Sequence, residues 1–376
     1  MSRRILVVAG EASGDALAAG LIRAARSVDP SVRFHGMGGQ AMREAGAEIL
    51  VDAAEVAVVG LFEVLARLPR ILAARGSLRR ALGDLRPERV LLVDFPDFNL
   101  RFAAHAKRAG VPVYYFVSPQ VWAWRRGRVA TIASRVSRMM VLFPFEEEIY
   151  RAAGVPVVFT GHPLVDADPP ALDPAAARAR LGLGEEGPVL ALLPGSRAGE
   201  VSRLLPPLLE SAAILREARP GLRAVIPVAS TVPAGLVEDL VRRSPLPQAR
   251  PVHGLFYEVL DAADAAVVAS GTATLQAALR GTPMVVVYRM HPVSGWIARR
   301  MVRVRDIALV NLVAGRRIVP ELVQEACTPR AIAAEAGALL DDDAANSAMR
   351  ASLGEVRARL GPPGAYERAA RVLLGA

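Results

Sequence analysis

Leu192-Leu193-Pro194-Gly195-Ser196-Arg197-Ala198-Gly199-Glu200-Val201 joins an apolar run of buried type to a helix-like segment through a Pro-Gly-Ser-Arg turn. Backbone N–H groups at a helix start lack intrahelical partners, and the macrodipole favours negative charge there, so the turn reads as an anion site. Arg197 adds a planar, permanently charged fork suited to phosphate. The same residues also suit an ordinary strand-to-helix turn with Ser196 as its cap. A second turn of the kind follows at Val267-Val268-Ala269-Ser270-Gly271-Thr272-Ala273-Thr274-Leu275-Gln276. Gln276 lies one helical turn beyond Thr272, placed to reach a ribose hydroxyl. Two such turns describe a nucleoside diphosphate held by Gly195, Ser196, Arg197, Ser270, Gly271 and Thr272, with no metal required.

Outward from these turns, short apolar runs alternate with longer Ala/Leu/Arg segments of helical period. Strands are predicted at Ile5–Ala9, Arg33–Met37, Val90–Phe95, Val113–Val117, Met139–Phe143, Val157–Thr160, Val189–Leu193, Ala224–Val228, Ala265–Ala269 and Met284–Tyr288. Continuous apolar strands separated by helices imply parallel sheets covered on both faces. The Pro- and Asp-rich stretch from Gly161 to Pro170 reads as an interdomain linker. The expected fold is α/β: two Rossmann-like domains, 1–165 and 166–344, around a cleft, with ligands at the carboxyl ends of the strands.

Composition narrows the chemistry. The 376 residues are 52% hydrophobic and 22% charged, with a net charge of +9 that favours anionic partners. Lys107 is the only lysine among 46 basic residues. A Gly-Lys-Ser/Thr phosphate loop is therefore absent, and Schiff-base chemistry would fall to Lys107 alone. Cys327 is the single cysteine, and the five histidines have no zinc-ligand spacing, so neither a disulfide framework nor a metal site is expected. The apolar run after Met1-Ser2-Arg3-Arg4 is too short for a signal-peptide core, and no segment reaches the roughly 20 apolar residues of a membrane span. A cytoplasmic location is expected.

Three further segments carry candidate chemistry. Ala9-Gly10-Glu11-Ala12-Ser13-Gly14-Asp15 follows the first strand without the dinucleotide spacing. Glu11 and Asp15 suit sugar hydroxyls or general-base work better than a pyrophosphate, and Ser13 or Asp15 also suits a helix cap. Asp94 and Asp97, in Val93-Asp94-Phe95-Pro96-Asp97-Phe98-Asn99, end another strand beside aromatic residues. Partial burial there would raise a carboxyl pKa and make a better base; either Asp also suits a loop cap. Ser118 to Arg126 holds two of the three tryptophans, Trp122 and Trp124, next to arginines and Gln120, a composition able to line a sugar or lipid pocket.

One segment departs from the α/β pattern. From Val58 to Arg80, Leu61, Phe62, Leu65, Leu68, Ile71 and Leu72 recur on an apolar face, and the polar positions are mostly Arg. Such a helix lies either in an anionic membrane surface or against its own sheet. Pro69 inside the pattern predicts a kink or a split.

Together these segments resemble the lipid-A-disaccharide synthases, bacterial glycosyltransferases of the GT-B fold (family 19). The matching strings are Gly10–Asp15, Asp94–Asn99, Ser118–Trp124, Gly161–Pro163, Leu193–Arg197, Ala269–Leu275, Tyr288–Met290 and Asn311–Arg316, in family order over nearly the whole chain. The resemblance implies condensation of UDP-2,3-diacylglucosamine with 2,3-diacylglucosamine 1-phosphate (lipid X), with inversion, to a β-1,6 disaccharide 1-phosphate and UDP, without a cofactor. By position, Asp94 matches the acidic residue taken as base, with Asp97 as its near rival and Glu11 in the first loop. Arg197 and Asn311 match donor-site residues; Ser13, Gln120, Trp122 and Trp124 fall to the acceptor. The resemblance also implies peripheral docking on the anionic inner membrane through the 61–72 face. It implies a C-terminal helix, about 345–376, returning to the first domain, and is compatible with a homodimer. Two departures stand out: Gln276 where the family usually has Glu, and Val310 where it tends to have Pro. A UDP-sugar epimerase of similar architecture and a non-catalytic polyanion binder are the rival readings. Few aromatic residues are interleaved with the basic ones outside Trp122–Arg126, so no nucleic-acid partner is expected.

Overall fold

The computed structural model describes residues 3–56, 61–122, 127–184, 186–290 and 306–376, and for 61–67 the backbone alone. The chain divides into two units, Met1–Asp166 with Leu360–Ala376, and Ala167–Arg359. In the first, β1 (Arg4–Ala9), β2 (Arg33–Gly38), β3 (Glu48–Asp52), β4 (Arg89–Val93), β5 (Val113–Phe116), β6 (Arg138–Val141) and β7 (Val157–Phe159) form a sheet ordered β3-β2-β1-β4-β5-β6-β7. All its pairs are parallel. In the second, β8 (Val189–Leu193), β9 (Arg223–Val228), β10 (Arg250–His253), β11 (Ala265–Ala269), β12 (Met284–Tyr288) and β13 (Glu321–Val323) are ordered β10-β9-β8-β11-β12-β13, again in parallel.

The apolar strands are explained by burial on both faces. Along β1, Leu6 and Val8 point to a core shared with Leu78 and Leu82. Ile5, Val7 and Ala9 point to the opposite core, shared with Leu21, Ile22, Leu373 and Leu374. A strand clamped this way has no solvent face, so alternation disappears from its sequence. The ten predicted strands are present, three with the predicted bounds and the others with ends shifted by one or two residues. The three not predicted, β3, β10 and β13, all lie at sheet edges, where polar residues replace part of the apolar run.

The returning segment starts later than the expected residue 345. Helix Asp343–Arg359 belongs to the second unit and buries Met349, Leu353 and Val356. Only Leu360–Ala376 join the first unit. There the His162 amide donates to Leu360 O at 2.9 Å, and Arg368 Nε donates to Thr160 O at 2.9 Å. The Gly161-His162-Pro163 string is thus the seat of the chain's return. Its buried His162 ring accepts from the Leu164 amide at 3.1 Å, and burial pushes its pKa down to about 4.

Helix Leu61–Leu85 runs through Pro69 without the predicted split. Its Ala74, Leu78, Ala81 and Leu82 are buried against the sheet, and Ile71 packs on the same core. Ile71 is therefore removed from the expected membrane face. Leu68 and Leu72 remain exposed, at 43% and 46%. The side chains of Leu61, Phe62 and Leu65 lie outside the described ones.

Candidate active site

Each sheet reverses its strand order once, β1 beside β4 and β8 beside β11, and ligands of open α/β sheets bind outside the carboxyl ends of the strands at such points. Both groups of candidate residues leave the strands there.

In the first unit Ala9 pairs with Val93, which sets Gly10 beside Asp94. A side chain on Gly10 would lie 2.2 Å from the Phe95 ring, so only glycine lets the first loop close on this turn. Asp94 and Phe95 are both left-handed, with φ of 45° and 46°. A non-glycine residue in that region costs on the order of 1–2 kcal/mol, and the surroundings hold the pair in place. Buried Asn99 donates from Nδ2 to Asp94 O at 2.7 Å and to Val93 O at 3.2 Å. The Tyr115 hydroxyl donates to Asp94 O at 2.5 Å. Burial, with the Glu11 carboxylate adding repulsion, pushes the Asp94 carboxyl up to about 6. Asp94 lines a pocket of about 160 Å³ with Pro96, Pro119, Gln120, Val121 and Arg128. Asp97, by contrast, is exposed and paired with Arg128. A half-buried carboxyl held near neutrality, facing a pocket, has the properties of a general base; an exposed ion-paired one does not.

The remaining acceptor candidates separate. Gln120 shares the pocket with Asp94. Ser13 is exposed in the first turn of helix Ala12–Val28. Asp15 is a structural cap: its carboxylate accepts from the amides of Gly39, Ala41 and Met42 at 2.6, 2.9 and 3.2 Å. Trp122 packs edge-on to Phe145, with centroids 5.6 Å apart, rather than lining the pocket. Trp124 lies outside the described residues. Behind the pocket wall, Ser118 Oγ meets the Tyr150 hydroxyl at 2.7 Å, and burial lifts the Glu146 carboxyl to about 8. These groups are joined only by tertiary contact. Asn99, Tyr115 and Arg128 had no predicted role, because local sequence gives no signal of the partners a side chain meets across the fold.

In the second unit Leu193 pairs with Val268, so the two phosphate-type turns leave adjacent strands at one end. Gly195 is left-handed with φ of 108°, as the sharp turn into helix Ala198–Ala218 requires. Arg197 is the N-cap and exposed; its carbonyl accepts from the Glu200 and Val201 amides, both at 2.9 Å, while its side chain makes no hydrogen bond or ion pair among the described residues. Glu200 folds back on the turn, accepting from the Ser196 amide at 3.3 Å. Helix Thr272–Arg280 opens from Ser270 and Gly271, with exposed Thr272 in its first turn. Ser270 Oγ lies 3.5 Å from Ile307 O, beside helix Leu309–Ala314.

Asn311, on that helix, requires a correction. Its Nδ2 donates to Val319 O at 3.0 Å and Glu321 Oε1 at 2.8 Å, and its Oδ1 accepts from the amides of Ile318 and Val319 at 2.8 and 3.0 Å. Two donors and two acceptor positions are all an asparagine side chain has. Asn311 therefore shapes the loop beside Ser270 and is not itself a nucleotide ligand. This network holds the loop without a proline at position 310, where Val310 is buried in the helix.

Comparison with known proteins adds to this geometry. The family model described as lipid-A-disaccharide synthetase matches residues 5–368. The lipid-A-disaccharide synthase of Myxococcus xanthus (strain DK1622) is 49% identical over 99% of this chain and 97% of its own length. Among solved structures, the calicheamicin glycosyltransferase CalG4 superposes with a TM-score of 0.61 at 16% identity, covering 100% of this chain and 98% of its own. The UDP-GlcNAc 2-epimerase of Neisseria meningitidis, solved with UDP-GlcNAc bound, gives a TM-score of 0.60 at 12% identity, covering 99% and 98%. The GT-B fold is thus common to transferases and epimerases and does not separate them, whereas the sequence match does. The chain belongs to the lipid-A-disaccharide synthetase family of glycosyltransferases.

Proposed function

We propose that the chain, as a glycosyltransferase of lipid A biosynthesis, condenses UDP-2,3-diacylglucosamine with 2,3-diacylglucosamine 1-phosphate to the β-1,6 disaccharide 1-phosphate and UDP. Asp94 removes the proton of the acceptor 6-hydroxyl as its oxygen attacks the donor anomeric carbon from the face opposite UDP, inverting that centre. The charge developing on the departing diphosphate is met by Arg197 and by the first-turn amides of helices Ala198–Ala218 and Thr272–Arg280. The observation that carries the reading is the Asp94 carboxyl, held near neutrality in a pocket at the β1/β4 reversal. Mass spectrometry of products with both acylated sugars present is expected to show the disaccharide 1-phosphate and UDP. An isomerised UDP-sugar from donor alone, with no disaccharide, would replace this reading with an epimerase.

The base assignment has a pH signature. The acid limb of kcat/KM is expected near pH 6, falling about tenfold per unit below it. Because Glu11 raises the Asp94 pKa, Glu11→Gln is expected to move that limb to lower pH. A limb that stays put or moves up in this variant would remove Glu11 from the site.

Membrane docking follows from the acylated substrates and from exposed Leu68 and Leu72, one helical turn apart beside exposed Arg70, Arg79 and Arg80. No helix among the described residues is long and apolar enough to cross a membrane. Leu68→Glu with Leu72→Glu is expected to weaken binding to anionic liposomes by about tenfold or more. Undiminished binding would rule out this face.

A further inference from the structure

Gln276 is the residue read as reaching the ribose at the nucleotide site, and its neighbours show how its side-chain amide is held. Helix Thr272–Arg280 carries Gln276 and, one turn later, Arg280 on the same face. Tyr257, from helix Phe256–Ala262, bridges the two. Its hydroxyl lies 3.1 Å from Gln276 Nε2, and its ring covers the Arg280 guanidinium at 4.6 Å. The Arg280 side chain is 1% exposed and is held beneath the ring by Asp168 at 3.2 Å and Asp261 at 3.5 Å. Phe256 packs against Tyr257 edge-on, 5.4 Å between centroids. The tyrosine is therefore pinned from below by a buried, doubly paired cation and from the side by an aromatic ring. Its hydroxyl is a fixed point beside Gln276.

A primary amide has two chemically opposite ends, a donor and an acceptor, and a ribose diol presented to it needs one of them in a defined place. Here Nε2 is committed to Tyr257, while Oε1 takes no hydrogen bond among the described residues. Having accepted from Gln276, the Tyr257 hydroxyl keeps its own proton to donate. A glutamate would accept from both ribose hydroxyls unaided; a glutamine supplies one acceptor and must be oriented.

We propose that Tyr257 is a positioning residue that turns the Gln276 carbonyl oxygen to the ribose of a bound nucleoside diphosphate, the pair serving where a single carboxylate would otherwise be needed. The inference rests on the donor-site reading above. A glutamate at position 276 would leave the tyrosine hydroxyl no such task.

Calorimetric titration of the full-length protein with UDP and with its 2′,3′-dideoxy analogue tests the pair. The wild type is expected to prefer UDP. Tyr257→Phe keeps the ring over Arg280 and removes only the hydroxyl. It is expected to lose about fivefold in UDP affinity, the size of one net hydrogen bond, and to lose much of the preference over the dideoxy analogue. The kinetic loss should fall on KM for the sugar nucleotide rather than on kcat. In a Gln276→Glu background the same Tyr257→Phe change is expected to cost less than about twofold, since a carboxylate needs no orienting. Wild-type affinity and preference in Tyr257→Phe, alongside a loss in Gln276→Ala, would overturn the proposal and leave the donor site standing. Unchanged UDP affinity and preference in Gln276→Ala would overturn the donor-site role of Gln276 and the proposal with it.

Discussion

Asp94→Asn is expected to abolish disaccharide synthesis while making the protein more stable at neutral pH. The loss should be about 10²–10⁴ in kcat, the range for removing a general base. Asparagine is isosteric, tolerates the left-handed backbone as well as aspartate does, and leaves the carbonyl that Asn99 and Tyr115 hold unchanged. The stability gain comes from the cost of keeping a carboxylate half-buried beside Glu11. The folded-state pKa, near 6, is raised above the ordinary carboxyl value, so ionising Asp94 lowers stability as pH rises towards and through that value. The variant and the wild type should thus melt together below about pH 4, diverge between about pH 4 and 6, and stay apart above, by on the order of 2 kcal/mol. Thermal melts across pH measure this directly. Retained synthesis in a folded Asp94→Asn protein would eliminate Asp94 as the base, and melts that coincide at pH 8 would remove the desolvation argument.

Arg197→Ala is expected to lower kcat/KM by about 10²–10³, the cost of losing one preorganised group facing a developing negative charge. Arg197 is well suited to that role: it is exposed at the mouth of the turn, and no described residue hydrogen-bonds or ion-pairs with its guanidinium. For the same reason the substitution should leave the melting temperature unchanged. Arg197→Lys should recover only part of the activity, because an ammonium offers a point charge where the guanidinium offers a fork. UDP inhibition should weaken in parallel and lose part of its salt dependence. A variant within threefold of wild type would place the leaving diphosphate elsewhere.

The sequence points to these two residues for different reasons. Arg197 sits in a local motif, a strand, a turn and a helix start within ten residues, and such motifs carry their geometry with them. Asp94 was legible only as one of a pair with Asp97. What separates them is desolvation beside Glu11 and an ion pair with Arg128, contacts that span 83 and 31 positions in the chain. Asn311 was legible as a site position but not in its role, since its four hydrogen bonds all close on residues seven to ten positions later.

The sequence by itself determined the α/β class, ten of the strands and the two strand-to-helix turns proposed to face a diphosphate. Each of these depends on residues adjacent in the chain: apolar runs long enough to be buried on both faces, and small residues at helix starts. Only the tertiary structure decided which carboxylate titrates near neutrality, that Asp15 and Asn311 are structural, that Ile71 faces the core, and that Tyr257 holds Gln276. Desolvation, left-handed backbone strain and the orientation of an amide are set by neighbours far along the chain, and no local pattern encodes them.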